Sequence, residues 1–437
     1  MVVFFMFEPL VFGAVFIFSM ALSLLFIARP NLLMSHEHML RDLSAPQSQH
    51  TRPTPRVGGI GIILGLCFGC LFYYNEIGRD LLLALAAGAV VFWAGLHEDI
   101  YRNVSPRNRL FAAFLSAALA IGVTGSLVPD LGLTDGALLR WLIPAVVITL
   151  LWSAGTCHAL NLVDGLNGLS ALYSMTASIG FIAIAGQTGD TDIQIVAGLL
   201  LVSVLGFFFL NWPFGRIFLG DAGAYGIGHI LAWLGIILVA RNPSVAGMAI
   251  LLLLFWPVCD TLLSILRRRA TRRATGQPDR LHFHHIAVRT VAMVAGRRGR
   301  FDNPIASLIL APFFSVPIAA GVLLWDQPIL ATIALACFIL LFMVTYISAV
   351  KFFPARRFRR VRYVAAGSLG RRRSRLQVSP LSGIYVRESE VLDVRIFREA
   401  GKTDWTLQAT AADNENVAYE GKFRTDIEAY DKFLKKA

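Results

Sequence analysis

Five short polar stretches interrupt an otherwise apolar chain: HTRPTPRVGG (50–59), HEDI (97–100), NLVDGLNGLS (161–170), FLGDAG (218–223) and DRLHFHHI (279–286). In the third, Asn161, Asp164 and Asn167 recur every three residues, which lines them along one face of a helical turn. Amides and a carboxylate so spaced suit a divalent cation or the edge of a base, and equally a helix terminus capping itself. Asp221 is the sharper case. It stands where an apolar helix is about to begin, with Gly220, Gly223 and Gly226 clearing space around it. A charge at bilayer depth costs ~2.5–3.5 kcal/mol on insertion scales, so it calls for a partner or a water-filled cavity. A hard cation shared with phosphate oxygens would compensate it, and a plain N-cap is the alternative.

His282, His284 and His285 follow Arg280 in a loop. With a basic residue beside them and no cysteine near, imidazoles suit hydrogen bonds to a diphosphate better than zinc; a solvated loop is the alternative. Glu98 and Asp99 are adjacent acids that could share a proton, bind metal or orient a nucleophile, or simply end a helix in water. Arg107 and Arg109 come just where the chain re-enters an apolar run, at headgroup depth for a lipid phosphate.

These groups need a scaffold, and composition says which kind. Of 437 residues, 56% are hydrophobic and only 16% charged, with a mean hydropathy of +0.62. Apolar runs long enough to cross a hydrocarbon core ~30 Å thick recur to residue 350. The expected fold is an all-α polytopic membrane protein with about eleven transmembrane helices. They are expected near 3–27, 57–75, 80–97, 109–128, 138–157, 168–187, 192–211, 222–240, 244–266, 304–325 and 328–350. The first run lacks the basic start of a signal peptide and is too long for one, so it reads as a retained span. Cys67, Cys70, Cys157, Cys259 and Cys337 all lie in or beside apolar runs and suggest no disulfide framework.

Alternate connections are short and poor in basic residues, whereas the others are longer and basic. The positive-inside rule therefore places the N-terminus in the periplasm and the C-terminus in the cytoplasm. The net charge of +12 then faces an anionic inner leaflet, and nucleic acid is not needed as a partner. By the same parity, all five polar stretches fall on the cytoplasmic side. The chain divides into a multi-span domain (1–350), a basic juxtamembrane linker (351–379) and a small cytoplasmic α+β appendage (380–437). In that appendage VLDVRIFRE, TDWTLQATA and VAYEGKF alternate like strands, and Thr425 with Glu428 forms a capping box.

The five stretches, in this order and on one side, resemble the polyprenyl-phosphate N-acetylhexosamine-1-phosphate transferases. PTPRVGG and the His-x-His-His pattern look more like the O-antigen-initiating members than the phospho-MurNAc-pentapeptide branch. The resemblance implies transfer of a sugar 1-phosphate from a UDP-N-acetylhexosamine to undecaprenyl or another polyprenyl phosphate, with release of UMP. It implies Mg²⁺, with Mn²⁺ as a substitute, a bacterial inner-membrane location, and leaves a homodimer open. Carried over by residue, Asp221 matches the metal-binding aspartate and Asn161 an asparagine that joins it. Asp164 and Asn167 match the nucleotide end, and Phe218 a residue that stacks on uracil. Arg280, His282, His284 and His285 match the diphosphate loop, and Arg109, with Arg107 beside it, the acceptor-phosphate position. One departure stands out: the family's paired aspartates are here Glu98 and Asp99, which leaves the choice of catalytic base between them open. Two readings from other classes are a transporter of an anionic solute and a scaffold whose appendage does the work.

Overall fold

The computed structural model describes residues 8–34, 54–129, 141–270, 282–294 and 301–355. In the C-terminal part it describes 376–378, 383–387, 390–399, 403–411, 417–426, 428–430 and 433. Fourteen helices are described: α1 Pro9–Ala28, α2 Gly58–Phe72, α3 Arg79–Ala87, α4 Ala89–Tyr101, α5 Pro106–Thr124, α6 Leu142–Val163 and α7 Leu169–Thr188. They continue as α8 Thr191–Asn211, α9 Gly220–Arg241, α10 Gly247–Leu253, α11 Phe255–Ala270, α12 Phe283–Val294, α13 Asp302–Leu323 and α14 Pro328–Ala355.

By length and apolar composition, eight of the described segments can cross a membrane, or nine if the bent pair α10–α11 counts as one. The chain is thus a polytopic membrane protein, but the count falls short of the expected eleven for three physical reasons. Helix α2 has only 15 residues. Helix α5 opens with Arg107 and Arg109 in its first turn. Helices α10 and α11 meet at an angle of 82°. Helix α12 had no counterpart among the expected spans.

Helix α9 is the axis of the membrane part: its residues are buried along almost the whole length, and it packs on α6, α4, α2, α7 and α3. Small residues make this crowding feasible. Gly59 of α2 lies so close to the Gly223 backbone that a methyl group at 59 would overlap it. Helices α9 and α5 together patch a break within the layer. Carbonyls freed where α3 gives way to α4 have no water to bond in hydrocarbon; His229 Nε2 lies 2.9 Å from Ala84 O, and Ser116 Oγ donates to Ala87 O at 2.8 Å.

Polar residues gather at the two ends of α9. At its C-terminal end Arg241 bonds Asp190 at 3.3 Å and Asp192 at 2.7 Å, and Asp192 accepts the Gly78 N–H at 3.2 Å. Its N-terminal end, ~30 Å away at 1.5 Å per residue, carries Asp221.

The chain splits into two compact units, 1–287 with 303–342, and 288–302 with 343–437. The second contains an antiparallel sheet of β1 Leu376–Val378, β2 Gly383–Arg387, β3 Glu390–Glu399, β4 Trp405–Ala411 and β5 Val417–Phe423. Strand β3 pairs β1 and β2 on one side and β4 on the other, and β5 follows β4. Val394, Ile396, Trp405, Leu407 and Ala409 alternate onto one face and pack with Ala429 and Phe433. Strands β3 to β5 cover the three alternating segments of the sequence; β1 and β2 carried no such signal. Thr425 Oγ1 accepts the Glu428 N–H at 3.1 Å, while Glu428 Oε2 accepts from Arg424 N at 3.1 Å.

Candidate active site

Two stretches more than 150 residues apart are zipped together by their main chains. Phe218 N donates to Pro55 O at 2.9 Å, Gly58 N to Phe218 O at 2.9 Å and Gly59 N to Leu219 O at 2.8 Å. This pairing carries Arg56 onto the start of α9. Its guanidinium donates to Asp221 Oδ1 at 3.2 Å and lies 3.8 Å from Asp99 Oδ1. The turn between needs Gly220, whose φ of 77° is left-handed and whose missing side chain leaves room for the Arg56 carbonyl and the Asp99 carboxylate.

Asp99, buried to 1% exposure, caps α9 from another helix. Its Oδ1 accepts the Asp221 N–H at 2.9 Å and its Oδ2 the Ala222 N–H at 2.8 Å, so a carboxylate meets the positive end of the helix dipole. A base role for Asp99 would cost those two bonds. Its neighbour Glu98 points elsewhere, with Oε2 accepting the Val104 N–H at 2.8 Å in the turn that follows α4. The acidic pair does not act as a pair here: one member holds α9 and the other holds a loop.

Arg109 pairs with Asp221 Oδ2, and Asn161 Nδ2 donates to Asp221 Oδ1 at 3.1 Å. Arg107 is exposed. Two positions apart on a helix face nearly opposite ways, so of the two arginines only Arg109 is brought to Asp221. The expected single face of Asn161, Asp164 and Asn167 is also broken. Helix α6 ends at Val163, so only Asn161 is helical and Asp164 lies in the turn beyond. Burial raises the Asp164 carboxyl to about 7, with the Ser170 hydroxyl and Arg56 opposing and the Asp221 charge adding a smaller push upward. Asn167 belongs to the frame: its N–H donates to Asn303 Oδ1 at 2.7 Å and its Nδ2 to Pro213 O at 3.2 Å. Phe218 serves the zipper through its backbone, and its side chain is partly exposed.

The histidines are placed by a residue that the sequence reading missed. Asp260 of α11, 2% exposed, accepts from His282 Nδ1 at 3.0 Å and from Phe283 N at 3.1 Å. It thereby anchors the first turn of α12 and orients the first ring. His282 and His284 lie nearly parallel with centroids 5.7 Å apart, and His284 and His285 approach to 4.2 Å. His284 Nε2 rests against the Cα of Gly165, beside Asp164, so the row adjoins the Asn161–Asp164 turn. Burial and its two histidine neighbours lower the His284 pKa, which keeps that ring neutral. Arg280 lies outside the described residues, as does most of the basic linker.

Asp221 sits between the guanidinium groups of Arg56 and Arg109, with the buried Asp99 carboxyl behind it, so acidic and basic groups are already paired before any ligand arrives. The centre's donors toward a metal are carboxylate and amide oxygens. No group of three histidine, cysteine or acidic side chains among the described residues is arranged to hold an ion alone. Such a set fits Mg²⁺, which takes one or two carboxylates and completes its shell with water and substrate phosphates.

The glycosyl transferase family 4 profile matches residues 81–239. A probable undecaprenyl-phosphate N-acetylglucosaminyl 1-phosphate transferase of Bacillus subtilis is 30% identical over 253 residues, covering 56% of this chain and 68% of its own length. The undecaprenyl-phosphate alpha-N-acetylglucosaminyl 1-phosphate transferase of Yersinia pestis is 26% identical over 63% of this chain and 76% of its own. A decaprenyl-phosphate N-acetylglucosaminephosphotransferase of Mycobacterium tuberculosis is 28% identical over 54% and 66%. The residues around Asp221 thus lie in an enzyme of sugar-phosphate transfer to polyprenyl phosphate, and the chain belongs to the polyprenyl-phosphate N-acetylhexosamine-1-phosphate transferase family.

Proposed function

We propose that the donor is a UDP-N-acetylhexosamine and that the product, polyprenyl-diphosphate-N-acetylhexosamine, begins an O-antigen or related surface polysaccharide at the cytoplasmic face of a bacterial inner membrane. The observation that carries this is the convergence on Asp221 of Arg56, Arg109 and Asn161, with Asp99 beneath it. A carboxylate between two arginines at the edge of the apolar layer suits phosphates arriving from water and from lipid.

In the reaction an oxygen of the acceptor phosphate attacks the sugar-bearing phosphorus of the donor. The bond from that phosphorus to the bridging oxygen breaks, and the bridging oxygen leaves with its electron pair on UMP. Arg109 orients the acceptor phosphate and Arg56 takes up donor phosphate charge, so the two guanidinium groups exchange Asp221 for substrate. Asn161 holds Asp221 in place during that exchange, and the histidine row hydrogen-bonds the diphosphate from the Gly165 side. Asp221 and Asn161 would hold Mg²⁺, or Mn²⁺ in its place, which would supply positive charge to the transferring diphosphate. Catalysis is then mainly positioning and electrostatics.

The test is UMP release by purified protein from a panel of UDP-N-acetylhexosamines with polyprenyl phosphate. Asp221→Asn is expected to lower turnover at least about a hundredfold with an unchanged melting profile, and chelation of divalent cations to stop the wild type. Normal turnover in Asp221→Asn, or no UMP from any donor, overturns the proposal.

A further inference from the structure

One polar pair beside the centre is used by none of these steps. His158 of α6 stands one turn before Asn161, and Tyr225 of α9 stands one turn beyond Asp221. Both helices run with their Asn161 and Asp221 ends at the polar centre, so both residues lie one turn, ~5–6 Å, further into the apolar layer. Tyr225 Oη and His158 Nδ1 are 3.2 Å apart, and the rings meet edge to face at 5.0 Å. Tyr225 is 1% exposed. The other ring nitrogen, His158 Nε2, is shielded from solvent and has no hydrogen-bond partner of good geometry, while the Arg109 backbone exerts a hydrogen-bond pull on the ring. Both His158 and Tyr225 are within electrostatic range of Arg109 and Asp221.

The position of His158 on its helix is as telling as its partner. Val147, Leu151, Gly155, His158 and Leu162 fall on one face of α6 at spacings of four, four, three and four. Val147, Leu151 and Leu162 are exposed at 46%, 57% and 39%, Gly155 has open space where a side chain would go, and His158 is partly exposed. In a membrane that stripe faces acyl chains. His158 is its one polar member, placed where the stripe reaches the arginine and carboxylate centre. A water-borne nucleotide sugar has no reason to touch it, whereas an amphiphile with a phosphate head and an isoprenoid tail must cross this junction.

We propose that His158, oriented by Tyr225, contacts the phosphate of the lipid acceptor together with Arg109. With the Tyr225 hydroxyl donating to Nδ1, the ring proton sits on Nε2, which exchanges its shielded setting beside the Arg109 backbone for a phosphate oxygen when the lipid head arrives. The inference rests on the transfer reaction proposed above for the ligand's identity, and on the structure alone for the place where a lipid phosphate binds.

The experiment compares full-length wild type with His158→Asn, His158→Gln and Tyr225→Phe. Gln keeps a donor near the Nε2 position, and Asn does not. The readouts are KM for polyprenyl phosphate, KM for the UDP-sugar, and thermal stabilisation by polyprenyl phosphate, uncharged polyprenol and inorganic phosphate. His158→Asn is expected to raise the acceptor KM about tenfold or more, the scale of one hydrogen bond to a charged group, with the donor KM within about twofold. His158→Gln should recover most of that loss, and stabilisation by polyprenyl phosphate but not polyprenol should shrink in His158→Asn. If His158→Asn does not fold, Tyr225→Phe replaces it and is expected to raise the acceptor KM alone. Equal shifts in both KM values, unchanged acceptor binding, or no rescue by Gln overturns the inference. Wild type that binds polyprenyl phosphate through His158 yet transfers no sugar phosphate overturns the reaction reading instead.

Discussion

Asp260 shows how much work a single buried carboxylate can do when both oxygens are used. Lying in an apolar run that reads as one span, it gives no sign that its partners are the residue before a helix and that helix's first residue, more than twenty positions later. Its role becomes visible only when α10 and α11 bend by 82° and α12 is in place. Asp260→Asn is expected to raise KM for the UDP-sugar about tenfold while leaving the acceptor KM within about twofold, because a freed His282 ring no longer presents one orientation. Asp260→Ala should also cost about 1–3 kcal/mol of stability by orphaning the buried Phe283 N–H; steady-state kinetics and thermal melts separate the two effects. Legibility at this scale varied. Asp221 and Asn161 announced themselves by type and setting. Asn167 matched the same periodicity but does not share a helical face with Asn161, because periodicity presumes a continuous helix and α6 stops at Val163. Arg107 and Arg109 looked equivalent until the helix turned them apart.

At the level of elements, the close approach of α2 and α9 decides whether the zipper can form. The Gly58–Gly59 pair brings the 55–59 segment against 218–219, and Gly59 faces the backbone of Gly223. Gly59→Val should therefore push α2 away and draw Arg56 off Asp221, at a cost of about 2–3 kcal/mol from overpacking. Gly122→Val, on the open face of α5 with nothing near its added side chain, is the control. The expected result is a lowered melting temperature and lost activity for the first and wild-type behaviour for the second, read in the same detergent. Composition and hydropathy located nearly every long helix. They could not distinguish a full span from the short α2, the charged entry of α5 or the bent α10–α11 pair, since hydropathy reports greasiness and not direction.

For the whole molecule, the residues that meet Asp221 all belong to the unit comprising 1–287 and 303–342, and the antiparallel sheet belongs to the other. Chemistry confined to one unit should survive loss of the sheet. Deleting the chain after residue 375 is expected to leave UMP release per folded molecule within about threefold of the full chain; complete loss would give the sheet a part in the reaction. The scattered polar stretches stood out in sequence against an apolar background, and among the described residues segments 54–59, 97–100, 161–170, 218–223 and 282–286 are brought together. The sheet was readable only in its longer strands, where alternation has room to show.

Helix α9 is tied down twice, by Arg241 to Asp190 and Asp192 at one extremity and by Asp99, Arg56 and Arg109 at the other. A rod moored at both tips cannot slide when the surrounding lipid thins or thickens. Such mismatch must be taken up by tilting of peripheral helices such as α1 and α14. The reacting phosphates would then meet at a constant depth, whatever bilayer the cell builds.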